Sequence, residues 1–369
     1  MKYEENPTVD DLELHFKASY NHLSEKKYVL YKSLFEALRK TDSKAEVVQT
    51  LLDSYKRKKL LTHIAESAFT AREQGVEKLE TLQDLFSQLT ENSDEHNNEG
   101  ETDGFVTTSL SELKEHTIAK KGLRWRLDIL NKSLGSLRRG DFGFIFARPE
   151  TGKTTFLASE ITHMAQQAET PILWFNNEEQ GEKVMMRCYQ SFFGVEQAPL
   201  FANVEEFEGQ FQECMKGKFL MYDTANIYKS QVEKLCKKHK PSLIVFDQID
   251  KIKGFDDDRK DLQLGRIYQW ARELAKEYCP VIGVCQADGS GDGVKWLNMG
   301  NVADAKTAKQ AEADWILGIG KTHDPDYQHK RYLNISKNKL MGDEDTVQAN
   351  RHGRLEVNFE PTIGRYLDE

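Results

Sequence analysis

Residues 142–155 read FGFIFARPETGKTT: an apolar run, Phe142 to Phe146, turns polar at Ala147, Arg148, Pro149, Glu150, Thr151, Gly152, Lys153, Thr154 and Thr155. Apolar residues ahead of this stretch and an amphipathic pattern behind it predict strand, phosphate loop of Walker A type, helix. Backbone N–H groups at a helix start can wrap phosphates, and Gly152 has no Cβ to block the approach. Lys153 supplies a point charge to the outer phosphates, and the Thr154 hydroxyl offers a ligand for Mg²⁺. The first position of the usual pattern is Gly, and here it is Ala147. The stretch reads as a site for ATP or another nucleoside triphosphate with Mg²⁺.

Outward from this loop, apolar runs alternate with helical periodicity. Strands are expected at 142–146, 172–175, 219–222, 243–246, 281–285, 315–319 and 332–336, and helices at 153–168, 179–193, 228–239 and 261–278. Alternation of that kind predicts an α/β fold, a mostly parallel sheet with helices on both faces, whose tail is open to antiparallel strands. Residues 1–90 differ in kind. Leu30, Leu34 and Leu38, then Val47, Leu51, Leu52 and Tyr55, and further sets through Leu89 are spaced by three and four, which predicts an all-helical N-terminal domain. The stretch 91–104, ENSDEHNNEGETDG, has almost nothing apolar to offset the entropy of ordering and reads as a linker. A short helix is expected at 109–120, which makes 91–121 the connection and 122–369 the second domain.

At 369 residues the chain is long enough for about two domains. It contains no run of roughly 18 apolar residues, and MKYEENPTVDD is unlike a signal peptide, so a cytoplasmic protein without a membrane span is expected. Five cysteines with no CxxC pair indicate neither a disulfide framework nor a zinc site. The net charge of −9 argues against a wholly basic nucleic-acid coat, though not against Lys and Arg gathered on one face.

Other residues carry chemistry. Leu243 to Phe246 ends in Asp247, placed to hold Mg²⁺ opposite the phosphate loop, because ligands of open parallel sheets sit at strand carboxyl ends. Asp250 reads as a solvated loop residue. The 172–175 strand runs into Asn176, Asn177, Glu178 and Glu179; Glu178 is the candidate base for the attacking water, and Glu179 suits the first turn of the next helix. Gln286 ends the 281–285 strand and could bond both a γ-phosphate and the loop after it. That loop, 287–309, is Gly-rich and polar. Its Lys295 and Trp296 offer a cation and a stacking surface for single-stranded nucleic acid, with Asn298 and Lys306 beside them; an exposed loop with one aromatic tucked down fits the same residues. Lys337 and Lys339 share one face of a strand. They suit a solvated edge, or a phosphate in this subunit or across an interface.

Together these residues resemble the RecA-like motor domain of DnaB-type hexameric replicative helicases of bacteria and phages. The resemblance rests on Leu127 to Asp141 (LDILNKSLGSLRRGD), ARPETGKT, Phe175 to Glu178, LIVFDQID, Val284 to Gln286, and Ala308 to Asp314 (AKQAEAD), and covers Gly122 to the C-terminus. Residues Ser54 to Leu89 are more faintly similar to the helical hairpin that ends the family's N-terminal collar. The resemblance implies that Lys153 and Thr154 bind phosphate and Mg²⁺, Glu178 activates water, Asp247 holds the metal, and Gln286 couples the γ-phosphate to a DNA-contacting loop. It implies a homo-hexameric ring, encoded by a phage, that translocates on single-stranded DNA and unwinds forked duplex beside a primase, polymerase or helicase loader in the host cytoplasm. The family's lysine and arginine finger, two apart and acting across the interface, fall on Lys337 and Lys339. A lysine in place of the guanidinium fork implies slower hydrolysis or a substitute such as Arg331 or Arg351. Two rivals share the motifs: a recombination or regulatory ATPase without unwinding, and a weakly hydrolysing assembly partner locked by ATP.

Overall fold

Strand β1 (Phe142–Ala147) is buried at all six positions, as befits a strand covered on both faces. The computed structural model describes residues 122–255, 259–340, 342–343 and 352–369, with isolated positions before residue 111. The chain divides into two compact units, Met1–Val106 and Thr107–Glu369, and the sheet lies in the second. The helices expected within 1–90 and 109–120, the 91–104 linker and Arg351 fall, isolated positions apart, outside the described residues.

Element order is α1 (Asp128–Ser133), β1, α2 (Lys153–Gln167), β2 (Ile172–Asn176), α3 (Gly181–Phe193), α4 (Gln197–Ala202), α5 (Val204–Met215), β3 (Phe219–Asp223), α6 (Lys229–His239) and β4 (Leu243–Asp247). It continues with α7 (Lys260–Glu277), β5 (Val281–Gln286), α8 (Lys306–Glu312), β6 (Trp315–Gly320), β7 (Lys330–Asn338), β8 (Arg354–Glu360) and β9 (Arg365–Asp368). Among the described residues these strands form a nine-stranded sheet in the order β3-β2-β4-β5-β1-β6-β7-β8-β9. The pairings from β3 through β6 are parallel, and β7, β8 and β9 add to the edge antiparallel. The expected α/β class and its doubly covered parallel sheet are what the chain forms. All seven expected strands are present, and the antiparallel edge is longer by β8 and β9.

Alternation along β1 feeds two cores. Ile145 and Ala147 join Phe156, Leu157 and Ile161 of α2, while Phe142, Phe144 and Phe146 join Tyr268, Ala271 and Leu274 of α7. Each fully buried Phe contributes on the order of 1.5–3 kcal/mol. Trp315 lies so close to β1 that a Cβ on Gly143 would meet its ring at 2.1 Å, so only glycine fits there.

One carboxylate inside this packing ties the start of the domain to the phosphate-loop helix. Glu160 of α2 is fully buried and accepts the N–H groups of Arg126 at 2.6 Å and Leu127 at 3.4 Å. Burial pushes its carboxyl up from 4.5 to about 7, against the opposing pull of the Arg126 guanidinium. A carboxyl raised in the fold holds its proton more tightly native than unfolded. Its contribution to stability is therefore whole below about pH 4.5 and fades as pH climbs through about 7. Glu160→Gln keeps an acceptor for both N–H groups and should flatten the fall in stability between about pH 5 and pH 8, read by denaturant unfolding; an unchanged fall would contradict this origin.

Candidate functional site

Four turns meet at the carboxyl end of the parallel strands. The first is the phosphate loop, where Gly152, at φ 106°, and Glu150, at φ 58°, turn the chain from β1 into α2. No side chain caps α2, so the N–H groups of its first turn face outward with no acceptor from a capping residue. A cavity of about 280 Å³ opens there, lined by Gly152, Lys153, Thr154, Thr155, Glu178 and Arg187 among others. The Lys153 ammonium donates to the Arg148 carbonyl at 3.4 Å, so the loop curls around it. Ala147 lies below the loop: its carbonyl accepts from the Ala287 N–H at 2.9 Å, and the Arg148 guanidinium reaches the Ala287 carbonyl at 3.0 Å.

Asp247 ends β4 beneath α2 and is fully buried. Its Oδ2 accepts from the Thr154 hydroxyl at 3.2 Å, while its Oδ1 has no hydrogen-bond partner among the described residues. Burial, with the charge of Glu178 adding to it and Lys153 opposing, pushes the Asp247 carboxyl up to about 7. A buried carboxylate oxygen without a partner, beside a hydroxyl and an open phosphate cavity, fits a divalent cation. Mg²⁺ is commonly held by one or two carboxylates plus substrate phosphates, and no cluster of three or more ligating side chains occurs among the described residues.

Glu178 and Glu179, adjacent in the chain, have different partners. Glu178 Oε2 accepts from the Gln248 amide at 2.7 Å, at the mouth of the cavity. Glu179 turns to Arg187 of α3, with Nη1 to Oε2 at 2.7 Å. Gln286 ends β5 directly beside Ala147, between the phosphate loop and the loop that begins at Ala287.

The candidate DNA residues fall into two groups. Lys295 pairs with Glu356 of β8 at 2.9 Å and stands 4.3 Å from the Tyr332 ring centroid and 5.5 Å from that of Trp296. Arg354 lies 5.8 Å from the Trp296 ring on the same platform. Asn298 instead caps a tight turn, accepting from the Gly300 N–H at 2.9 Å, and Lys306 pairs with Asp288 at 2.6 Å. Lys295, Asn298 and Lys306 thus each have an intramolecular partner.

Lys337 and Lys339 lie below the phosphate loop, Lys337 at mid-strand and Lys339 at the opposite end of the sheet. In the antiparallel register Lys337 is opposite Ile316, which pairs with Phe144, and the Lys339 N–H donates to the Asp314 carbonyl at 2.8 Å, just before β6 begins. At about 3.3 Å per residue, Lys339 is level with the start of β1, roughly 16 Å below the loop. The reading in which these lysines serve a phosphate in their own subunit is thereby corrected for Lys339, and the Lys337 ammonium, two residues nearer, donates instead to the Gln310 carbonyl of α8. Arg331 is corrected too as a substitute finger: it is buried, donates Nε to the Thr151 carbonyl at 2.7 Å and stacks on Phe359 at 3.9 Å. Asp250, read as solvated, pairs with the fully buried Lys309 at 2.7 Å.

Sequence reasoning missed Arg187, Gln248, Phe359 and Tyr366. Arg187 and Gln248 carry no local signal. The tail does: Leu355, Val357 and Phe359 alternate as a half-buried strand should.

A family model described as the DnaB-like helicase C terminal domain matches residues 122–367. The chain belongs to that family. The replicative DNA helicase DnaB of Buchnera aphidicola subsp. Schizaphis graminum is 30% identical over 176 residues, covering 44% of this chain and 38% of its own. That of Haemophilus influenzae is 28% identical over 195 residues, covering 48% and 41%. The match thus spans about two fifths of these curated relatives. Among solved structures, an isolated ATPase domain superposes with a TM-score of 0.60 at 15% identity, over 73% of this chain and all of that one. A DnaB-like replicative helicase, described with its interactions with primase, gives 0.55 at 15% identity over 92% and 83%. At this identity the two share the fold.

The DnaB-like domain here braces its phosphate loop from the tail. The Tyr366 hydroxyl donates to the Gly152 carbonyl at 3.2 Å, and a Cβ on Gly152 would sit 2.8 Å from that oxygen. Tyr366→Phe keeps the ring against Phe156 and Phe359 and removes only the hydroxyl. It should cost about 1 kcal/mol of stability and weaken Mg-ATP binding about fivefold by calorimetry; undiminished affinity would show that the loop needs no such brace.

Proposed function

We propose that this chain is an ATP-driven translocase on single-stranded DNA that assembles as a hexameric ring and unwinds duplex at a replication fork. The observation that carries this reading is the separation of Lys337 and Lys339 from the phosphate loop of their own subunit. Cations lower on the sheet and a phosphate cavity at its carboxyl end make each copy half of a site, which head-to-tail association in a ring completes. In this reading residues 1–90 form a helical collar, 91–121 the linker and 122–369 the motor. The copies work in the cytoplasm, that of the host for a phage-encoded protein.

Lys153 and the N–H groups of α2 would hold the phosphates, with Arg187 as a second cation at the cavity. Thr154 and Asp247 would hold Mg²⁺, which when bound neutralises charge building on the phosphates. Glu178, oriented by Gln248, would take the proton of the attacking water. Lys337 and Lys339 of the neighbouring copy would face the γ-phosphate. Gln286 would report the occupancy of that position to the loop after β5, whose Lys295 and half-buried Trp296, backed by the buried Tyr332 of β7, suit cation and stacking contact with unpaired DNA. A primase, polymerase or helicase loader would work alongside; primase is named with one structural neighbour.

Lys339 supports one second reading. An ammonium lacks the bidentate fork of a guanidinium, and fingers are worth about 10³ to 10⁵ in rate. A ring locked by ATP that hardly hydrolyses it would follow, and turnover that oligo-dT fails to stimulate would favour it.

Lys153→Ala should abolish ATP hydrolysis and displacement of a forked strand; an unaltered hydrolysis rate would refute the site. Oligo-dT affinity should fall with salt at a log–log slope of about −0.7 per phosphate contacted.

A further inference from the structure

Lys309 of α8 is fully buried, a costly place for an ammonium unless it is paired. Its Nζ donates to Asp250 Oδ2 at 2.7 Å and to the Ala303 carbonyl at 3.0 Å, and lies 5.4 Å from the Tyr268 ring centroid. The three partners come from three elements: the turn after β4, the exit of the 287–303 loop, and α7.

From Asp250 the contacts run to the nucleotide cavity. Asp250 sits in a single tight turn, Ile249–Lys251, entered through Gln248 in the left-handed conformation at φ 68°. Gln248 donates to Glu178 at 2.7 Å, and Lys251 donates to the Asn177 carbonyl, next to Glu178, at 3.0 Å. Ile249 packs against β5 so closely that a Cβ on Gly283 would lie 3.1 Å from it. The turn is therefore a short piece bonded through Gln248 and Lys251, on either side of Asp250, to the strip carrying Glu178.

From Ala303 the contacts run to the loop. The Ala303 N–H donates to the Gln286 carbonyl at 3.0 Å, and Ala287 bridges to Val302, so the loop leaves and rejoins the sheet at one point. A shift of the loop acts directly on Ala303, hence on Lys309. An apolar contact here could slide and be as stable, whereas a buried ammonium held by a half-buried carboxylate and a carbonyl keeps its partners at fixed distance and passes displacement on.

We propose that Lys309 and Asp250 are positioning residues that transmit occupancy of the 287–303 loop by single-stranded DNA to Glu178 through Gln248. This deepens the proposed function and rests on it. Neither residue lines the nucleotide cavity. With the pair removed, the Gln248 to Glu178 bond remains and hydrolysis without DNA continues, while its response to DNA is lost.

The test measures ATP hydrolysis by the full chain with and without oligo-dT, and thermal unfolding, for the wild type, Lys309→Met, Asp250→Asn and the double variant. Wild-type hydrolysis unresponsive to oligo-dT overturns the functional reading and this route with it. Given a response, Asp250→Asn leaves the buried Lys309 charge without its partner and unfolds earlier, and Lys309→Met, which leaves the half-buried Asp250, does so less. The double change leaves no charge unpaired and should unfold near the wild-type temperature. It should keep its DNA-free rate within about twofold and lose about fivefold or more of the stimulation, the low end of measured couplings between sites. Stimulation restored in the double variant together with its stability means that the pair only holds the fold, and overturns the inference.

Discussion

Parallel strands that share one direction deliver the phosphate loop, Glu178, Asp247 and Gln286 to a single end of the sheet, and the reversal at β7 sets Lys337 and Lys339 below it, toward the other. That polarity is set by crossover helices on both faces, which the all-apolar strands require for burial. It decides what one copy can do alone. A triphosphate bound at the loop would meet N–H groups, Lys153 and two carboxylates in the same chain, while Lys337 and Lys339 lie roughly 10 and 16 Å below it along the strand direction.

The site is built on tension between burial and charge. Asp247 is taken out of water with one oxygen that has no hydrogen-bond partner among the described residues and its carboxyl pushed up to about 7, a state that a bound cation would relieve. The loop above it has no side-chain cap and relies on the antiparallel edge for support, through Arg331 of β7 on the Thr151 carbonyl and Tyr366 of β9 on that of Gly152. Strands β7 and β9 thus steady the backbone that would meet phosphate. The buried Lys309, paired with Asp250, likewise fixes a distance, linking the turn after β4 to the loop after β5.

Much of this is legible in the chain. Runs such as LIVFD and VIGVCQ can only be doubly covered strands, and the carboxyl ends of those strands name Asp247 and Gln286 without further help. Glu178 and Glu179 cannot be told apart by spacing, because the distinction lies in their partners, Gln248 and Arg187, which are distant in sequence. The six-residue helices α1 and α4 are too short to show a period. Arg331, expected as a substitute finger, and Lys309, which has no pattern of its own to mark it, are buried, and only tertiary contact shows it. The loop after β5 is readable as a long polar loop from its length and glycines, yet the internal bonds of Asn298 and Lys306 are not.

The most direct measurement mixes two inactive chains. Lys153→Ala removes the loop lysine and keeps the β7 cations; Lys337→Ala with Lys339→Ala does the reverse. In a ring whose sites are shared head to tail, about a quarter of the interfaces in a random equal mixture carry both intact halves, so ATP hydrolysis should return to roughly that fraction of the wild-type rate. A mixture as inactive as its components, or a Lys337→Ala, Lys339→Ala chain that hydrolyses ATP at full rate by itself, would contradict a site divided between copies.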